Sequence, residues 1–310
     1  MNIAIVGGGW LGCHLANKFK SNNVVKIYEQ EELFAGVSNF NQNRLHLGYH
    51  YARSFETRKL CVDTFDRFIN EYPSLVEEIK NNLYAIPKKE STIDFNTYLK
   101  IFNEYNHSII QEESLSNVEG IISVNEKYIN NEKAKIFFIK ELKNKIIYKK
   151  ITKDTLLELS KHNDLVIDCT NNSFNLNLNI KKNIGNLFFY KKIKDINFFG
   201  LTLVDGNLFS IFPYKDDLFS ITDVSITTDN SLNIKQKIET LEKKITYYYN
   251  NFLNNFEYYG NSEIIRSKQY GMSDSRVPEI IVNNNIVSCF IGKIQSMYYV
   301  EDYIRSNYNV

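Results

Sequence analysis

The clearest pattern in the chain is at its start. Asn2-Ile3-Ala4-Ile5-Val6 is an apolar run of strand length, and Gly7-Gly8-Gly9-Trp10-Leu11-Gly12 follows it directly. A stretch of helical spacing then extends to Phe19, and a second apolar run, Val24-Val25-Lys26-Ile27-Tyr28, ends in Glu29. Strand, G-x-G-x-x-G, helix, strand and acid are the ordered parts of a dinucleotide site. Gly7 permits the tight turn, Gly9 lets backbone approach a pyrophosphate, and Gly12 allows close helix–strand packing. The free N–H groups at the helix start favour the anion, and Glu29 is placed to accept from a ribose hydroxyl.

The hydrophobic pattern continues through several changes of period. Residues 35–51 are polar and aromatic with no clean repeat, which predicts a shaped loop, whereas Leu60, Val62, Phe65, Phe68 and Ile69 predict a helix over 54–72. Strands are expected at 83–86, 121–124, 145–148 and 164–170, with helices at 93–105 and 132–143. From 182 to 261 the chain is rich in Phe, Tyr, Ile and Thr, with short strands separated by Asp205-Gly206-Asn207 and Lys215-Asp216-Asp217. One long helix is expected over 232–256, then a terminal strand over 285–291, Gly292-Lys293, and a last helix over 294–304. The pattern describes an α/β nucleotide frame interrupted by β-rich sequence. The expected division gives residues 1–80, 130–178 and 265–310 to the nucleotide domain, and residues 81–129 and 179–264 to a substrate domain.

Composition narrows the function classes. The 310 residues, 43% hydrophobic and 24% charged, are ordinary for a soluble globular protein. A net charge of +1 gives no electrostatic footprint for nucleic acid or an anionic membrane. No stretch approaches a membrane span, and a first strand beginning at about residue 3 makes a cytoplasmic protein the expectation. Cys13, Cys61, Cys169 and Cys289 are widely separated, which predicts reduced, mostly buried thiols, and no metal-ligand set is visible.

The glycine motif alone does not separate NAD from FAD. Interruption of the frame, and its completion by a terminal strand-Gly-Lys-helix that brings another helix start to the crevice, favour FAD. The chain resembles FAD-dependent oxidoreductases of the D-amino-acid-oxidase type, the family that includes glycine oxidase and L-2-hydroxyglutarate dehydrogenase. The resemblance rests on the glycine motif with Glu29, on Asn43-Arg44-Leu45-His46-Leu47-Gly48-Tyr49-His50-Tyr51 with the later Lys59-Leu60-Cys61, on the strand ending at Thr170, on the Val204-Asp205-Gly206 to Phe212-Pro213 hairpin, and on Gly292-Lys293. It implies a Rossmann-like FAD-binding domain with an inserted β-rich (α+β) substrate domain. FAD contacts are expected from Gly7, Gly9, Trp10, Leu11, Gly12, Glu29, Gln30, Ser38, Asn43, Arg44, Ile151, Thr170, Gly292, Lys293 and Ile294. The chain departs from the family at Asn22-Asn23, at the missing glycine after Thr170, and in the bulk of Gln42-Asn43-Arg44.

Catalytic candidates in the aromatic loop are His46, as a base for a hydroxyl proton, Arg44, as a clamp on a carboxylate or phosphate, and His50. Tyr49, Tyr51 and Arg266 are candidate substrate contacts. The implied reaction passes a hydride from a small substrate, a 2-hydroxy acid or related alcohol, to flavin N5, with an unspecified electron acceptor. Amine oxidation on the same frame, a non-redox flavin mutase acting on a nucleotide sugar, and a nucleotide sensor are the alternatives.

Overall fold

In the computed structural model, residues 1–269 and 275–310 are described, the Arg266 side chain excepted. The six-stranded sheet has the order Glu279–Asn283, Ile286–Phe290, Leu165–Asp168, Asn2–Val6, Val24–Glu29, Ile146–Tyr148. Its strands are parallel apart from Glu279–Asn283, which forms a hairpin with the terminal strand. The first, second and last strands expected from hydrophobic runs are therefore neighbours or near neighbours here. Helix Trp10–Phe19 packs on this sheet through Leu15, Ala16 and Phe19. Trp10 is held edge-on by Phe34, Tyr72 and Phe138, and its indole N–H donates to Asn131 Oδ1 at 2.9 Å. A buried indole needs such an acceptor.

The second sheet has eight strands, in the order Phe256–Gln269, Ile180–Lys192, Leu218–Asp223, Phe209–Lys215, Gly200–Leu203, Asn82–Pro87, Val118–Val124, His107–Ile110. Helix Ile234–Tyr248 covers one face through Leu241, Ile245 and Tyr248. Its Asn233–Gln236 capping box satisfies two N-terminal donors reciprocally. Strand Phe256–Gln269 runs past the expected boundary at 264, staying in this sheet to its end.

Two helical expectations are corrected. The helix expected over 232–256 stops at Tyr248, because Asn250 N–H and a Leu115–Tyr249 bridge draw the chain toward the Ser114 region. A short helix Phe252–Asn255 follows, and Phe256 begins the edge strand. The helix expected over 93–105 is reduced to Phe95–Ile101, started by the Asp94 cap. Helix Phe55–Glu71 forms as expected, with Ser54 as its cap.

A three-stranded sheet of Arg44–Leu45, Lys127–Ile129 and Val76–Glu78 fixes the aromatic loop. Two residues of strand are enough to set the direction of Arg44 and His46. Among the described residues, no helix is long and apolar enough to cross a membrane.

Candidate active site

One cleft of about 990 Å³ runs from the glycine loop to the end of the terminal strand, at the upper end of the roughly 300–1,000 Å³ typical of ligand sites. Gly7, Gly9, Trp10, Leu11, Glu29, Gln30 and Ser38 line one half, with Ile151 and Thr170 beside them. Asn43, Arg44, His46, His50 and Tyr51 line the other, facing Gly292, Lys293 and Ile294.

The nucleotide half is built from the fingerprint. Gly12 is where the helix meets the loop: a Cβ there would lie 1.9 Å from the Gly7 carbonyl oxygen. The Glu29 carboxylate accepts from the N–H groups of Gly8 at 2.5 Å, Gln30 at 2.7 Å and Glu31 at 3.1 Å. A carboxylate has about four acceptor sites, so capacity remains for a ribose hydroxyl. Ser38 Oγ accepts from Trp10 N–H at 3.0 Å, standing at the helix start where a phosphate would sit. Asn131, which sequence reasoning missed, fixes Ser38 by donating to its carbonyl. The missing family glycine after Thr170 is replaced by Asn171 and Asn172, both at positive φ, at 57° and 60°. Asparagine tolerates that conformation better than other side chains.

The opposite half is denser in charge. Glu126, wholly buried, accepts from Leu47 N–H at 2.7 Å and from the Tyr84 hydroxyl at 2.7 Å. Arg44 Nη2 lies 3.6 Å from Glu126 Oε2 and donates to Tyr84 at 2.5 Å, with its guanidinium 4.4 Å from the Phe212 ring centre. His46 Nδ1 lies 3.5 Å from Glu126 Oε1. Gln295 clamps the His46 backbone, accepting from its N–H at 2.9 Å and donating to its carbonyl at 3.0 Å. Burial alone would raise the Glu126 carboxyl, but His46, Arg44 and Tyr84 hold it well below the usual carboxylate range. Burial, then Lys293 and Arg44, push His46 down to about 3, against the opposing pull of Glu126. His50 is likewise pushed well below its ordinary value by burial, Arg44 and His46. Both imidazoles are neutral near pH 7.

Linkage gives these two histidines a stability consequence. Below about pH 6.5 the unfolded chain takes up protons that the folded imidazoles refuse, so stability is full above that value. It falls as pH drops, for His46 down to about 3, with each site contributing at most about 1.4 kcal/mol per pH unit. Denaturant unfolding at pH 7.5 and 5.5 should show a smaller loss for His50→Asn than for wild type. Equal losses would contradict the burial of a neutral His50.

Two expected substrate contacts need correction or restriction. Tyr49 does not reach the cleft. It is a core residue packed on Tyr84, Phe102 and Tyr105, and its hydroxyl donates to the Asn106 carbonyl at 2.7 Å. Arg266 lies in the edge strand opposite Asn183, and its side chain is outside the described residues. Arg276 lines the cleft. Gly292, in the cleft lining, also meets neighbouring backbone closely: a Cβ there would lie 2.8 Å from Arg276 Cα. The donors after it belong to a short 3₁₀ turn, Ile294–Ser296, which precedes the helix Met297–Asn307. Glu126, Tyr84 and Gln295 carried no sequence signal, since an acid in Asn125-Glu126-Lys127 reads as an exposed turn.

The cleft fits an elongated dinucleotide with a polar ring at its far end. Asn43 Oδ1, Arg44 Nε and His50 Nδ1 are buried there without hydrogen-bond partners, and such atoms call for a ligand or water. A fingerprint loop on a parallel sheet, with a β-rich lobe over the far end of the same cleft, is the architecture of a dinucleotide-binding protein. No family model matches the chain. It is 30% identical over 335 aligned positions to FAD-dependent monooxygenase FPY4 of Fusarium mangiferae, covering 98% of this chain and 90% of that protein. A local match of 87 residues at 42% identity joins 27% of the chain to 20% of FAD-dependent monooxygenase kojA of Aspergillus flavus. Glycine oxidase from Geobacillus kaustophilus superposes with a TM-score of 0.73 at 11% identity, over 98% of this chain and 93% of that one. The chain belongs to the FAD-dependent oxidoreductase family of the Fusarium mangiferae monooxygenase, and it has the fold of glycine oxidase. It is an enzyme, and its cofactor is FAD.

Proposed function

We propose that the enzyme oxidises a small anionic substrate bearing a hydroxyl beside the reacting C–H, of the 2-hydroxy-acid class. One observation carries this reading. Lys293 and Arg276 converge on Tyr51 within the cleft, at 4.5 and 5.8 Å from its ring centre, beside His46 and His50. Lys293 Nζ donates to the Tyr51 hydroxyl at 3.0 Å and Arg276 Nη1 to the Ser275 carbonyl at 2.8 Å. Among the described residues, neither forms an ion pair with a carboxylate. Arg44 is offset by Glu126, so Lys293 and Arg276 are what make the far end of the cleft cationic, which supports a carboxylate-bearing ligand. An amino acid would bring its ammonium into the same field, so a hydroxyl at the reacting carbon fits better than an amine.

Bound FAD supplies two-electron acceptance, and the protein supplies orientation and proton handling. Lys293 and Arg276 orient the carboxylate, the neutral His46 faces the hydroxyl, and Tyr51 closes the pocket between them. A second reading, insertion of an oxygen atom, is favoured by the kinship with a monooxygenase.

Anaerobic mixing of the FAD-loaded enzyme with panels of 2-hydroxy acids, the matching amino acids and uncharged alcohols should bleach the flavin band with the first set. Lys293→Met and Arg276→Met should each raise KM for the acid roughly ten- to a hundredfold, as expected for a charged hydrogen bond of about 1.5–3 kcal/mol. Bleaching by amino acids alone would refute the hydroxyl assignment. Product carrying label from ¹⁸O₂ would establish monooxygenation instead.

A further inference from the structure

We infer that Glu126, which lies behind the cleft and is not among its lining residues, is a positioning residue that holds His46 as the Nδ1–H tautomer and leaves Nε2 as the proton acceptor toward the substrate. The inference rests on the hydroxyl-substrate reading above. His46 Nδ1 is buried and has no hydrogen-bond partner at normal length, and the carboxylate oxygen 3.5 Å away is what it faces. A bare Nδ1 lone pair turned toward a buried anion would be repelled, whereas an N–H there is attracted, so the carboxylate selects the tautomer. The other ring edge then carries the lone pair, and His46 lines the cleft.

The carboxylate is itself fixed on every side. Leu47 N–H holds Oε1, the Tyr84 hydroxyl holds Oε2, and Arg44 lies beside Oε2. Gln295 prevents the His46 backbone from sliding, as it bonds both its N–H and its carbonyl. The imidazole thus faces a fixed anion, while Gln295 fixes the backbone that carries it. The other charged or titratable groups facing it are Arg44, Lys293, His50 and Tyr51.

In the step this serves, the substrate hydroxyl proton passes to His46 Nε2. The carbinol hydrogen would leave as hydride, for which FAD would supply the two-electron acceptor, as the C–O single bond becomes C=O. The imidazolium formed lies against the Glu126 carboxylate, where the ion pair stabilises it. A substrate carboxylate lying against Lys293 offsets one of the charges that make His46 a weak base in the resting enzyme.

The test uses the FAD-loaded enzyme and has two readouts. Imidazole ¹⁵N shifts, assigned with a His46→Asn variant, should show Nδ1–H at His46 in wild type and a population of Nε2–H in Glu126→Gln. Turnover of the best 2-hydroxy acid should fall roughly a hundredfold in Glu126→Gln, within the range for general acid–base catalysis. Flavin content should be retained, KM should change less than kcat, and the acidic limb of the pH profile should move to lower pH. The Glu126→Gln/His46→Asn double variant should be no slower than His46→Asn alone. An Nε2–H His46 in the wild-type enzyme overturns the inference whether or not Glu126→Gln folds. So does a Glu126→Gln enzyme with wild-type kcat and pH profile. An Nδ1–H wild type that ignores every hydroxy acid supports the tautomer assignment and removes only the substrate reading.

Discussion

Replacing Gly12 with alanine is expected to leave a protein that cannot retain FAD. The added Cβ would be 1.9 Å from the Gly7 carbonyl oxygen and 3.4 Å from Ile5 Cγ2. Neither atom can yield easily. Gly7 is anchored by its N–H to the Tyr28 carbonyl at 2.8 Å, and Ile5 is fully buried in the central strand. The helix must therefore rise off the sheet, carrying Trp10 and Leu15 away from their packing and turning the first N–H groups from the phosphate position. Overpacking of this kind costs about 1–3 kcal/mol in a core that can adjust, and more where backbone meets backbone. Gly260→Ala is the control, since a Cβ there has nothing within 4 Å and the position lies away from the cleft. After desalting, flavin absorbance should be absent from Gly12→Ala and unchanged in Gly260→Ala. A Gly12→Ala protein holding one FAD per chain would show that the loop has slack the packing does not suggest.

Arg44→Met should produce the largest loss of stability of any single change at the far end of the cleft. The stem and its apolar contact with Phe212 are largely retained, but the buried Glu126 loses its guanidinium. Breaking a buried ion pair by removing one partner costs about 3–5 kcal/mol, because the remaining charge is left uncompensated. The effect has a pH signature. The Glu126 carboxyl is held below the usual carboxylate range, so its contribution is present above the unfolded value and lost as pH falls through the folded one. Without Arg44 the folded carboxyl titrates closer to its unfolded value, so less stability remains to be lost on acidification, and the variant and wild-type stabilities should converge as pH falls. Adding Glu126→Gln to Arg44→Met should recover part of the stability, since the uncompensated charge is then gone. An Arg44→Met protein melting with wild type would mean that Tyr84 and Leu47 alone stabilise the carboxylate.

The nucleotide half was legible because it is local. Its meaning lies in twelve consecutive residues and one acid at the end of the next strand, and the same short-range pattern gave the helix capped by Ser54. The far half of the site depends on contacts between residues distant in sequence. Glu126 becomes significant only when the three-stranded sheet brings Lys127–Ile129 beside Arg44, and Gln295 only when the C-terminal turn packs under His46. Tyr49 was misread because an aromatic run next to a histidine does not reveal which rings turn inward. The strand Phe256–Gln269 was hidden for another reason. Among the described residues it is an edge strand paired only with Ile180–Lys192, so Glu257, Asn261 and Glu263 can be solvated without disturbing the sheet, and the usual alternation is blurred.

Asparagine abundance looks like compositional drift, yet eight of the eleven non-glycine residues at positive φ among the described residues are asparagine. The chain has only 13 glycines, and asparagine takes left-handed positions at Asn43, Asn171, Asn172 and elsewhere. The two residues differ most before folding. A glycine leaves the denatured chain far more backbone states to surrender, and limiting those states is worth about 0.4–1 kcal/mol at a compatible site. Asparagine keeps part of that advantage while tolerating the conformation. The turns that shape the flavin cleft are therefore stabilised partly by a denatured ensemble that begins less free.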